Sequence, residues 1–193
     1  MKKRIKRIQA ALGVEADGVI GPKTLTAIEE ALYLPSELVW PTQGEVRSGE
    51  SCFGVAGDEG QLVSIKPPYP LYYEGREVKT IRVHRLIAGA VEDALEEVLR
   101  VYGLQRIKEL RLDQYGGSYN YRKTGSGKAL SMHAWGIALD FDPDNNTYGM
   151  HRPVARMSRA EYEPWWEIWE KHGAVSLGRE RDYDWMHLQF ARL

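Results

Sequence analysis

The segment Ser131-Met-His133-Ala-Trp-Gly-Ile-Ala-Leu-Asp140 sets an imidazole and a carboxylate seven positions apart, with only small or apolar residues between them. A surface loop would carry more polar side chains and a plain core strand would carry none, so the pair calls for a chemical reason. If residues 136–142 form a strand, side chains alternate between its two faces. Ile137, Leu139 and Phe141 then enter a core, while Gly136, Ala138, Asp140 and Asp142 share the opposite face. The small residues leave a hollow beside Asp140, over which His133 can fold. Spacing alone admits two explanations: a buried, hydrogen-bonded His–Asp pair, or two ligands of a metal ion.

A catalytic zinc takes three protein ligands drawn from His, Asp and Glu and keeps a fourth position for water. His187, in Asp184-Trp-Met-His-Leu-Gln-Phe190, is the best third ligand, because a carboxylate lies three residues before it. Asp184 would serve as general base toward a water whose pKa the ion lowers. Strand alternation would put positions 184 and 187 on opposite faces, so this role requires Asp184 to lie in the turn before the strand.

Rival sites fail on their own requirements. Asp140-x-Asp142-x-Asp144 starts like a calcium loop, but Asn145 stands where that loop needs Gly and His151 where it needs Glu. No His-Glu-x-x-His pair exists. The Gly-rich run YGGSYNYRKTGSGKAL mimics a phosphate-binding loop, yet Arg122 and Ala129 occupy the positions that need Gly and Ser or Thr.

The pattern Ser131-x-His133-x-x-Gly136-x-Ala138-x-Asp140, followed about 45 residues later by Asp184-x-x-His187, resembles the signature of the LAS zinc peptidases. That group includes D-Ala-D-Ala carboxypeptidases and dipeptidases and the L-alanyl-D-glutamate peptidases of phage endolysins. The resemblance extends over roughly residues 40–190. It implies that His133, Asp140 and His187 bind zinc, that Asp184 is the base, and that Ser131 orients the site by hydrogen bonding. Relatives also use an arginine upstream of the first His to stabilise the developing oxyanion. Arg122 is the best match, with Arg111 and Lys123 as nearby alternatives. A positive fork beside the ion suits a tetrahedral oxyanion or a substrate carboxylate.

Several elements must position these groups. Val83, Leu86, Ile87, Ala90, Val91, Ala94, Leu95, Val98, Leu99 and Tyr102 line one face of a helix expected over 82–102, closed by Gly103. His84 would then sit at that helix start. Residues 109–113 read as a strand, and 34–80, rich in Pro and Gly, as irregular structure with short strands. Pro164 to Gly173 reads as a short aromatic helix whose Trp165, Trp166 and Trp169 belong to the core, with His172 near its negative end. The fold expected is α+β: a small antiparallel sheet carrying the zinc site, flanked by these helices.

Residues 1–34 form a unit apart from the peptidase domain at 35–193. Ile5, Ile8 and Leu12, then Leu25, Ile28 and Leu32, recur at helical spacing around Asp17-Gly18 and Gly21-Pro22. The stretch IQAALGVEADGVIGPKTLTAI resembles the helical peptidoglycan-binding repeat found beside cell-wall hydrolases, with Gln9, Asp17-Gly18, Gly21-Pro22 and Thr24 in register. That repeat usually has about sixty residues and three helices, so this unit is a truncated version, too short to be stable alone.

The 193 residues carry 26 basic and 27 acidic side chains, a balance that offers no excess of cations for nucleic acid. The single cysteine, Cys52, excludes an internal disulfide and a thiolate zinc site. Gln9, Glu15 and Asp17 interrupt the apolar run that a signal peptide needs after the basic residues at 2–7, and no stretch is apolar enough for a membrane span. Synthesis in the cytoplasm, monomeric, with later release onto peptidoglycan is therefore expected. The reading of choice is an endolysin-type zinc hydrolase of the stem peptide cutting the L-alanyl-D-glutamate bond. The alternatives are a D-Ala-D-Ala carboxypeptidase or dipeptidase, and a non-catalytic zinc-containing wall-binding module.

Overall fold

The computed structural model describes residues 1–31 and 39–193, and the chain divides into two compact units, Met1–Val39 and Trp40–Leu193. Leu32 and the boundary expected at 34/35 lie outside the described residues.

In the first unit, α1 (Lys2–Ala11) and α2 (Pro22–Ala31) flank a loop that is organised by one buried amide. Gln9 Nε2 lies 2.7 Å from Asp17 Oδ1, 2.9 Å from the Val19 carbonyl and 3.0 Å from Thr24 Oγ1. Its Oε1 accepts from the Gly18 N–H at 2.8 Å. Asp17 Oδ1 also accepts from the Val19 N–H, so the turn dipeptide and both helices share a single polar lock.

The second unit begins with α3 (Gln43–Ser48), a helix that sequence reading missed inside the irregular 34–80 segment. A local signal was present: Thr42 and Glu45 form a capping box, and Gly49 closes the helix in the left-handed region. Its first residues are tied to residue 192, since Gln43 N–H donates to the Arg192 carbonyl and Arg192 N–H to that of Pro41. Two hairpin-like ladders follow. β1 (Leu62–Ile65) pairs antiparallel with β4 (Ile81–His84), and between them β2 (Leu71–Tyr73) pairs with β3 (Arg76–Val78).

The long helix α4 runs Ala88–Glu109, so it does not start at Arg82 as expected. Residues 81–84 are extended instead. Ile81 and Val83 are buried and Arg82 is exposed, a period of two that the longer helical stripe concealed. His84 therefore ends a strand. Its buried ring stacks edge-on against Phe53, and Nδ1 accepts from the Leu86 N–H. Gly103, with φ 65° and ψ 163°, interrupts α4 where a stop was expected, but helical turns resume to Glu109.

The strand expected at 109–113 does not form. Arg111 adopts φ 59°, which breaks the extension and sends its guanidinium to Asp142 and Asp144. The strand comes slightly later, as β5 (Tyr115–Gly117).

The remaining elements are β6 (Ala138–Phe141), α5 (Glu163–Lys171), β7 (Val175–Ser176), α6 (Leu177–Arg181) and β8 (His187–Gln189). The main sheet is antiparallel throughout, in the order β5-β6-β8-β7. Helices α4 and α5 pack together, and α5 lays its tryptophans on the sheet, with Phe141 5.3 Å from Trp165 and 5.7 Å from Trp169. All three tryptophans of α5 are buried, as expected for core residues. The fold is α+β with a small antiparallel sheet, and the putting of helices on one face leaves the other face of β6 and β8 to polar groups.

Candidate metal centre

Asp140 and His187 are directly opposed partners on β6 and β8, and Gly117 of β5 opposes Asp140 from the other side. The sheet itself thus sets the carboxylate beside the imidazole. A side chain at Gly116 would put its Cβ 2.8 Å from Asp140 Cβ, so the bare backbone of β5 is what admits the aspartate.

His133 arrives from a 3-10 turn, Met132–Trp135, that precedes β6. Ser131 caps this turn, its Oγ accepting from the His133 N–H at 3.4 Å. Ser131 is thus bonded to the backbone of the turn, and among the described residues it makes no hydrogen bond to the imidazole ring. Gly136 ends the turn at φ 69°, and a Cβ there would stand 2.6 Å from Leu62 Cδ2 and 3.2 Å from the His84 nitrogen. The motif glycine is needed for both its backbone angle and its contact with β4.

The three donors converge. His133 Nε2 lies 3.2 Å from His187 Nδ1 and 3.2 Å from Asp140 Oδ2, and His187 Nδ1 lies 3.0 Å from Asp140 Oδ1. Donors at the corners of a tetrahedron with metal bonds of about 2.0–2.1 Å stand roughly 3.3 Å apart. The spacing therefore suits a zinc-sized ion.

Outer partners fix which nitrogens face inward. His133 Nδ1 donates to the Ser118 carbonyl at 2.6 Å, which leaves Nε2 bare. His187 Nε2 donates to Gln189 Oε1 at 3.2 Å, which leaves Nδ1 bare. Gln189 cannot flip its amide without loss, because its Nε2 donates to the Ala191 carbonyl at 2.6 Å. Gln43 Nε2, from α3, donates to the same Gln189 Oε1 at 3.0 Å. Two imidazole lone pairs and a carboxylate thus face one another in a buried space, an arrangement that a cation resolves.

The local charges follow. Burial opposes the charged form of Asp140, but the facing imidazoles outweigh it and hold the carboxyl well below the usual range. Burial likewise opposes a charged His187, yet in the imidazolium form Nδ1–H donates to Asp140, and that bond with the Asp140 charge lifts the His187 pKa above the ordinary value.

Asp184 stands in the turn before β8, as its expected role requires, at φ 58° and with its carbonyl accepting from the His187 N–H at 3.0 Å. Its side chain is buried, and Oδ1 has no hydrogen-bond partner. Burial raises its pKa, Asp140 adds to the rise, and His187, His133 and Arg122 pull against it.

Two cavities meet at this cluster. The first, about 290 Å³, is walled by His133, Asp140, Arg122 and residues 115–120. The second, about 330 Å³, is walled by Asp140, His187, Asp184 and Arg122 together with Arg47, Tyr148 and Tyr183. Arg122 is exposed and lines both. Arg111 is paired with Asp142 and Asp144, and Lys123 lines neither cavity, so Arg122 is the one of the three that faces the cluster.

Sequence reading missed the outer partners Ser118, Gln189 and Gln43. Gln189 had a usable signal, two residues beyond His187 on the same strand face, whereas Gln43 lies 146 residues from its partner and had none.

A family model described as D-alanyl-D-alanine carboxypeptidase matches residues 124–190, the span that holds all three donors and Asp184. No curated protein and no solved structure matches the chain. The family match and the His–Asp–His group together support a metallopeptidase of a zinc-dependent family.

Proposed function

We propose that the protein is a zinc-dependent peptidase of peptidoglycan that hydrolyses the L-alanyl-D-glutamate bond of the stem peptide, in the manner of an endolysin. The observation that carries this reading is the buried His133–Asp140–His187 group with the unpartnered Asp184 Oδ1 in the cavity that Asp140 and His187 also wall. Zinc held there would supply Lewis acidity, sharpening both the acidity of a neighbouring water and the electrophilicity of a neighbouring carbonyl. Asp184 takes the proton from the attacking water as the new C–O bond forms. It then delivers that proton to the amide nitrogen as the C–N bond breaks, so the base is restored. Arg122 offers its guanidinium to the carbonyl oxygen as negative charge gathers there. Cavities on both sides of the cluster give room for peptide before and after the scissile bond, which favours cutting within a chain.

The test is digestion of purified peptidoglycan followed by mass spectrometry. New N-terminal D-Glu, lost on chelation and regained with zinc, is the expected result. Release of terminal D-Ala alone would move the assignment to a D-Ala-D-Ala carboxypeptidase, the activity in the description of the matching family model. Full activity after exhaustive chelation would exclude the metal mechanism.

A further inference from the structure

Arg47 is the charge in the second cavity that nothing else explains. It sits on α3 one turn after Gln43, half-buried, and its Nε donates to the Leu130 carbonyl at 3.0 Å. Among the described residues its Nη atoms have no hydrogen-bond partner and no carboxylate pairs with it, while Arg82, Arg111, Arg152 and Arg179 each have one. Burial already disfavours its charge. A partly desolvated guanidinium without a counter-ion is completed by an anion that enters the cavity.

The other charges of that wall say which anion. Asp184 and Asp140 repel a carboxylate arriving beside them, and Arg122 is engaged with the reacting carbonyl in the mechanism above. A second cation is therefore required if the substrate brings its own carboxylate. The planar fork of arginine meets a carboxylate with two parallel hydrogen bonds, which a lysine cannot do.

We propose that Arg47 is a specificity-determining residue whose Nη fork receives the free α-carboxylate of the residue that supplies the leaving amine. The assignment rests on the peptidase reading and deepens it. Two sources share this chemistry. One is a γ-linked D-glutamate after L-alanine, and the other is a terminal D-alanine. In both, the carboxylate is attached to the carbon that bears the departing nitrogen.

Four short peptides separate the cases: L-Ala-γ-D-Glu and D-Ala-D-Ala peptides, each as the free α-acid and as the α-amide. The zinc-loaded wild-type chain should cleave one acid in preference to its amide, and the acid cleaved identifies the source. Arg47→Gln should lower kcat/KM on that acid by about ten- to a hundredfold, the scale of one charge-assisted pair, and leave the amide unchanged. Arg47→Lys should retain part of the preference. Unchanged amide turnover also shows that the variant folds. Cleavage by wild type without any acid preference, a preference that survives Arg47→Gln, or equal loss on acid and amide would overturn the role of Arg47 and leave the peptidase reading standing. Cleavage of none of the four would remove the peptidase reading and this assignment with it.

Discussion

His133, Asp140 and His187 each present one donor atom to a common point, whereas Asp184 offers its carboxylate to the cavity. Substitution should divide them accordingly. His133→Ala, Asp140→Ala and His187→Ala are expected to lose bound metal together with activity. Asp184→Asn should keep the metal and lose about 10²–10⁴ in rate, the usual cost of removing a general base. Metal content and wall-lysis rate, measured side by side on the four variants, check this; an Asp184 variant that stays active or sheds its metal would refute the division. Gln189→Leu should leave the fold intact but weaken metal binding about 10–100-fold, because His187 would lose the acceptor that keeps its outer nitrogen protonated. Chelator competition measures that loss. At this scale the three converging donors were legible because a His and an Asp among small apolar residues are locally anomalous. Their outer partners were not, since Ser118 contributes only a backbone carbonyl and Gln43 comes from α3, far away in sequence.

The elements show where periodicity misleads. Ile81, Val83 and Ile87 satisfy a helical stripe as well as a strand followed by a turn, and the ladder with β1 decides for the strand over 81–84. Gly136 makes that ladder a neighbour of the metal turn, because His84 N–H donates to its carbonyl at 2.9 Å. Gly136→Ala should cost roughly 1–3 kcal/mol through backbone strain and the clash with Leu62. Urea midpoints would show it, and metal content should fall as well because the turn that carries His133 must shift. Between helices, Glu97 of α4 accepts from Lys171 Nζ at 2.9 Å and His172 Nε2 at 2.8 Å at the end of α5. These partners hold its carboxyl down to about 2, against an ordinary value of 4.5. A depressed carboxyl stabilises the fold above its unfolded pKa and stops doing so as pH falls through the folded one. Wild type and Glu97→Gln should therefore differ in urea midpoint above pH 4.5 and converge toward pH 2. A gap that persists at the acid end would point to packing and not to charge. His172 was expected to serve a helix end; the structure adds Glu97, a partner that helix periodicity cannot reveal.

On the scale of the whole chain, the two units carry separate expectations. Gln9 joins Asp17, Gly18 and Thr24 by hydrogen bonds within the first unit, and Gln9→Ala should loosen that loop by roughly 1–3 kcal/mol. Amide exchange at Gly18 and Val19 should accelerate, and unchanged protection at Gly18 would refute the role of the Gln9 amide as the lock. The α+β class and the aromatic core were readable from pattern, because α5 buries its apolar residues at helical spacing. The strand order β5-β6-β8-β7 was not, since strands of two to four residues leave almost no periodic trace. That same brevity has an outcome for measurement. Asp140 and His187 are cross-strand partners, and a slip of one residue in either strand turns a donor to the opposite face. On the proposed metal centre, a misaligned molecule should hold no ion at all instead of holding one badly. In a preparation of mixed quality, the molar ratio of bound metal to protein becomes a head-count of correctly assembled chains, and specific activity divided by that ratio should be the same from batch to batch.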